Sequence, residues 1–112
     1  MRSESYSVGE FRVIRIWEVL GIDSDLSELK KTVEHDHSLA HLVLAFTDDS
    51  CLYSRAAAVL MECYKILHRR NGSLGIIKPN HSISFVLDTI GLRHLMKTYE
   101  SEEAIVHQEV AV

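Results

Sequence analysis

Apolar and charged positions are interleaved from Phe11 to Leu20, where "FRVIRIWEVL" carries Phe11, Val13, Ile14 and Ile16 and is rich in β-branched and aromatic residues. The pattern predicts a strand over 11–20 with one partly polar face. In "GIDSDLSELKKTVEHDHS" the period lengthens, and Leu26, Leu29 and Val33 share one helical face. A loop and a first helix are expected there, with Asp23 or Ser24 as the cap. "AHLVLAF" (40–46) is a continuous apolar run, the mark of a strand covered on both faces.

A second helix is predicted over 54–70, with Ala57, Leu60, Tyr64 and Leu67 as its apolar stripe. Lys65, His68, Arg69 and Arg70 lie towards its C-terminal end, where cations suit the helix dipole. "NG" at 71–72 stops that helix, and "SLGIIKP" predicts a strand near 73–78 that ends at the proline. In "NHSISFVLDTIGL" Asn80 or Ser82 caps a third helix, Ile83, Val86, Leu87 and Ile90 fall at i, i+3, i+4 and i+7, and Gly91 ends it. "LMKTYES" predicts a last strand near 95–99. "SEEAIVHQEV" predicts a closing helix begun at Ser101, with Glu102 and Glu103 in its first turn.

Strands alternating with helices at this spacing imply an α/β fold, with helices packed on a mixed, mostly parallel sheet of four or five strands. A length of 112 residues fits one domain, 1–112, with 1–10 as an N-terminal segment and 101–112 as the closing helix and tail. About four helices are expected.

Charge narrows the function. The net charge is −4 with Lys and Arg scattered, so the basic stripe that phosphate backbones need is missing, and nucleic acid is excluded as a partner. The apolar runs are too short to insert in a membrane, and "MRSESYSVGE" lacks the apolar core of a signal peptide, so a cytoplasmic protein is expected. Cys51 and Cys63 stand twelve apart without zinc or redox spacing and read as reduced, mostly buried thiols.

Candidate chemistry is sparse. His35, His37 and His41 with Asp36 form the one constellation that resembles a metal site. His37 and His41 have i, i+4 spacing, but they straddle a helix end and a strand start, which breaks the geometry. No metal and no cofactor are expected. The chain has no Gly-rich phosphate loop, no G-x-S-x-G and no base for a nucleophile, so it is not expected to be an enzyme. Trp17 and Tyr53 read as interface or core aromatics.

The stretch "LVLAFTDDSCLYSRAAAVLMECYKIL" resembles the strand, loop and helix of the STAS domain, the family of anti-sigma factor antagonists, stressosome subunits and the cytoplasmic tails of sulfate transporters. "GSLGIIKPNHSISFVLDTIGLRHLMKTYESEEAIV" is similar to its C-terminal half, and the resemblance extends over about 11 to 107. On that resemblance Ser54 falls on the family's phosphorylated serine. Tyr53 stands in place of its Asp, Arg55 in place of a second Ser or Thr, and Ala56 in place of its Gly.

The resemblance implies a non-catalytic module that binds a protein partner, an anti-sigma factor kinase or a signalling scaffold. Binding would use the 47–56 loop and the second helix, with Asp48, Asp49, Tyr53, Ser54 and Arg55 as candidate contacts. It also admits a cytoplasmic subunit of a membrane transport complex, a small-ligand-binding domain and a homodimer. Read without the family, Ser54 at a helix start is a cap worth ~1 kcal/mol. Read with it, Ser54 is a switch whose phosphate would add about −1.5 to −2 charges beside Asp48 and Asp49.

Overall fold

Residues 1–10, expected as a leading segment, hold a strand in the computed structural model, which describes residues 2–106. β1 (Ser3–Val8) pairs antiparallel with β2 (Phe11–Ile16), with Ser3 opposite Ile16 and Val8 opposite Phe11. Gly9, with φ of 58°, turns the chain between them. β1 is an edge strand whose apolar residues are Tyr6 and Val8 among serines and a glutamate, which blunts its alternation signal. β2 itself is shorter than the expected 11–20. It ends at Ile16, and the chain peels into a loop in which Leu20 is buried while Trp17 and Val19 face water.

From β2 onward strands and helices alternate: α1 (Ser27–His35), β3 (His41–Ala45), α2 (Ser54–Arg69), β4 (Ser73–Ile77), α3 (His81–Thr89), β5 (Lys97–Tyr99) and α4 (Glu102–Val106). β2, β3, β4 and β5 are parallel neighbours, so the five-stranded sheet runs in the order β1-β2-β3-β4-β5. The mixed sheet and four helices match the expected fold class. The rest of the expected closing helix and tail, 107–112, lies outside the described residues.

Crossovers that step one way across a parallel sheet put successive helices on one face. The burial agrees. Ile14, Ile16, Leu42, Leu44, Leu74 and Ile76 point to a core shared with α1, α2 and α3. The alternate positions Val13, Val43 and Tyr99 pack on the opposite face against Ala104 and Ile105 of α4. β3 is buried along almost its whole length, as its continuous apolar run predicts.

Capping departs from expectation at two helices. Asp23 and Ser24 do not cap α1. Its N-cap is Leu26, in the left-handed region at φ 57°, with no side-chain capping bond. The preceding loop is held instead by Ser24 Oγ, which accepts from Gly21 N at 3.0 Å, and by Asp25 Oδ1, which accepts from Ser27 N at 3.0 Å. Leu26 thereby swings into the core beside Leu29 and Val33.

α2 buries Ala56, Ala57, Leu60, Cys63 and Leu67, so Cys63 occupies the stripe and the expected Tyr64 sits at its rim, stacked on His68 at 5.5 Å. After α2, Asn71 takes the left-handed turn at φ 58°. Gly72 serves packing: a Cβ there would lie 1.7 Å from the Ala40 carbonyl oxygen.

Candidate functional site

The loops that follow β2, β3 and β4 leave the same edge of the sheet, because those strands are parallel. That edge is where open α/β sheets present their sites. The β3–α2 loop is anchored at its middle by Ser50, a fully buried polar residue. Its Oγ accepts from Leu20 N at 3.0 Å and hydrogen-bonds Thr47 Oγ1 at 2.7 Å, while Cys51 N donates to Leu20 O at 3.2 Å. Residues 50 and 51 thus bond Leu20 through both its N–H and its carbonyl.

Asn80 holds the loop from the other side. Its Nδ2 donates to the carbonyls of Asp48 and Ser50, each at 2.8 Å, while its Oδ1 accepts from Ile83 N at 2.8 Å and caps α3. One side chain fastens a loop and starts a helix. Sequence reasoning names Asn80 only as a cap and gives Ser50 no role. The one signal for Ser50 is a serine directly after "DD" in a turn-forming run.

On this pinned backbone the predicted contact residues face outward. Asp48 and Asp49 form the exposed tip, and Tyr53, Ser54 and Arg55 are exposed at the start of α2. Ser54 is not the cap. Tyr53 occupies the N-cap position in extended conformation (φ −103°, ψ 178°), makes no side-chain capping bond, and accepts Ala57 N on its carbonyl at 2.9 Å. Ser54 is the first residue inside the helix. In the neighbouring loop the Asp25 carboxyl lies below its ordinary value, chiefly through hydrogen bonds from Ser27, with the Arg55 charge a smaller contribution.

Four large apolar residues on these loops are exposed. Trp17, Val19 and Ile22 of the β2–α1 loop and Tyr53 are 50%, 54%, 71% and 43% exposed. Glu18, Asp23 and Asp25 of the same β2–α1 loop line a hollow of about 180 Å³ beside Leu20 and Leu26. Trp17 also belongs to a chain of contacts from the far side of the sheet. Glu102 of α4 forms an ion pair with Arg15 and accepts a hydrogen bond from the Tyr6 hydroxyl, and the Arg15 guanidinium lies 5.3 Å from the Trp17 ring centroid.

The histidines do not converge. His35 and His37 are exposed around the end of α1, whereas His41 lies on β3 with Nδ1 2.9 Å from Ser73 Oγ and its ring against Phe11. Among the described residues no three His, Cys, Asp or Glu side chains are grouped to hold a metal ion. Cys51 and Cys63 are free thiols, and burial pushes Cys63 up to about 12. Among the described residues no helix is long and apolar enough to cross a membrane.

No protein-family model and no curated protein sequence matches the chain. Solved structures do. The crystal structure of TM1081 of Thermotoga maritima, a candidate anti-sigma factor antagonist, superimposes with a TM-score of 0.80 at 17% identity, over 95% of this chain and 92% of that one. The Bacillus cell fate determinant SpoIIAA in its phosphorylated form matches at 0.70 and 17% identity, over 96% and 99% of the two chains. The anti-sigma factor antagonist SpoIIAA in its unphosphorylated form matches at 0.69 and 16%, over 96% of each. The chain therefore has the fold of these antagonists, that of a STAS-like domain.

Proposed function

We propose that this chain is a non-catalytic protein-binding module of the cytoplasm, which captures a partner through the 47–56 loop and the exposed face of α2. The partner is an anti-sigma factor kinase or a signalling scaffold. One observation carries the reading. Trp17, Val19, Ile22 and Tyr53 lie exposed on loops at one sheet edge, around a backbone that Ser50 and Asn80 hold in place. Large apolar side chains left exposed on loops at one edge of a sheet suit a protein partner, and a fixed backbone lowers the ordering cost of binding. The fold shared with the antagonists supports the partner class.

Ser54 is the regulatory residue of this surface. Its hydroxyl is exposed at the first position of a 16-residue helix with no acidic residue in the first turn. A phosphate there gains from the helix dipole, so folding tolerates it. A partner that docks onto Tyr53 and Arg55 meets a dianion beside Asp48 and Asp49 and is repelled.

The test is titration of the partner recovered with the tagged chain against single variants. Tyr53→Ala and Trp17→Ala should each weaken binding about tenfold or more, and Ser54→Asp should weaken it without lowering the melting temperature. If all three bind as the parent does, this surface is not the interface.

A further inference from the structure

The chain leaves the helix-covered face of the sheet after β5, because α4 crosses to pack with Val13 and Val43 on the opposite face. The helix-facing side of the outermost strand is therefore covered by α3 alone. A groove of about 380 Å³ runs there, between α3 and β5. Its floor is apolar and formed by Ile76, Leu87 and Met96, all buried.

The mouth is polar and carries two fixed cations, Lys78 and Arg93, and one acid. Lys78, Arg93 and His94 stand around it with Ser84 and Thr98 as hydroxyl donors, and Glu100 is the acid on the rim. His94 has an acidic neighbour, Asp88, at 4.0 Å. Lys78 is held in an uncommon conformation. It has φ of 38° and precedes Pro79, although a residue before proline favours extended backbone. Its N–H is tied to the Tyr99 carbonyl at 2.8 Å. Such backbone outliers persist where the surrounding structure fixes them and cluster at ligand sites.

The geometry points to a small-molecule site in this groove, for a ligand with one oxyanion, a phosphate monoester or a carboxylate, on a compact apolar body. Arg93 supplies planar paired donors to the oxyanion, and Lys78 supplies a point charge. The body lies on Ile76, Leu87 and Met96, and the groove's size is at the small end of ordinary ligand pockets. The groove shares no lining residue with the 47–56 surface, although Asn80, next to Pro79 of its lining, bonds that loop, and the site stands or falls without the proposed partner.

Titrations of the ¹⁵N-labelled chain by heteronuclear NMR test the site with four probes: phenyl phosphate, benzoate, inorganic phosphate and benzyl alcohol. Phenyl phosphate or benzoate should saturate with Kd of order 1 mM and shift the amides of Ser84, Arg93, His94 and Thr98 by more than those of 53–55. The tighter of the two identifies which acid the groove prefers. Arg93→Ala should weaken that probe at least about tenfold, and Arg93→Lys should weaken it less. Both variants change an exposed side chain, and a dispersed spectrum confirms that each is folded. Binding of inorganic phosphate as tight as that of phenyl phosphate would mean a simple counter-ion and overturn the site. Equal binding of benzyl alcohol, or no saturation with either acid, would overturn it as well.

Discussion

Asn80 Nδ2 donates to the Ser50 carbonyl at 2.8 Å, so the residue that caps α3 also fixes the loop before α2. Asn80→Ala removes the cap and both loop bonds together. It should cost about 2 kcal/mol, a fall of roughly 8–14 °C in melting temperature by circular dichroism. Asn80→Asp keeps the acceptor for Ile83 N and loses the donors, so it should fall between parent and Asn80→Ala. A melt of Asn80→Ala that overlays the parent would show that the loop is held by other contacts.

The two serines of the loop should behave oppositely. Ser50→Ala leaves the buried Leu20 N–H without its acceptor and should cost about 1–3 kcal/mol. Ser54→Ala touches an exposed hydroxyl that makes no capping bond, so its melting curve should match the parent to within about 0.5 kcal/mol. Ser54→Asp should be neutral or stabilising by about 0.3–1 kcal/mol at low salt through the helix dipole.

This pair marks what was legible in the sequence. The period of the apolar residues reveals the order from β2 to α4, and burial of Leu26, Leu29, Val33, Ile83 and Leu87 follows it. β1 was hidden because its serines carry little hydrophobic signal and its stability comes from pairing with β2. The site was half legible. The outward residues of 48–55 could be placed by their loop, whereas Ser50 and Asn80 act through bonds to residues 30 or more positions away. Local pattern carries no trace of such bonds. The cap at α2 went astray for a smaller reason: Ser54 and Tyr53 are adjacent, and helix starts shift by a residue.

Packing gives a harder test. A methyl at Gly72 would meet the Ala40 carbonyl, a backbone group that cannot move without disturbing the start of β3. Gly72→Ala should therefore cost on the order of 4 kcal/mol, read as a lowered urea midpoint or as insoluble expression. Leu60→Asp, at a fully buried position of α2, should unfold the domain by stranding a charge in the core. A cooperative parent-like melt for either variant would contradict the packing described for α2 and the turn after it.

The thiols should separate by reactivity and by pH. Burial raises Cys63 to about 12, above the ordinary thiol value of about 8.5. Its contribution to stability is then present below about pH 8.5 and is lost as pH rises towards the folded-state value, because the unfolded chain ionises first. At pH 8 iodoacetamide should leave Cys63 unmodified in the native chain and label it in urea, as peptide mass spectrometry would read. Rapid native labelling of Cys63 would place it outside the core.

Trp17 is the sole tryptophan of the chain, and it sits half exposed with the Arg15 guanidinium over its ring. Since Arg15 is in turn gripped by Glu102 of α4, the indole has an intrinsic optical connection to that helix. Emission excited at the indole band reads one residue, at the surface proposed for the partner, with no label attached. Glu102→Gln removes the carboxylate charge from Arg15 and alters the cation's hold on the ring while Ala104 and Ile105 keep α4 docked, so intensity changes and the β-sheet signal in circular dichroism does not. The same fluorophore, covered by an incoming protein, shifts to the blue. Loss of the Arg15–Glu102 pair and arrival of a protein partner are thereby written into one spectrum, the first as a change of intensity and the second as a change of wavelength.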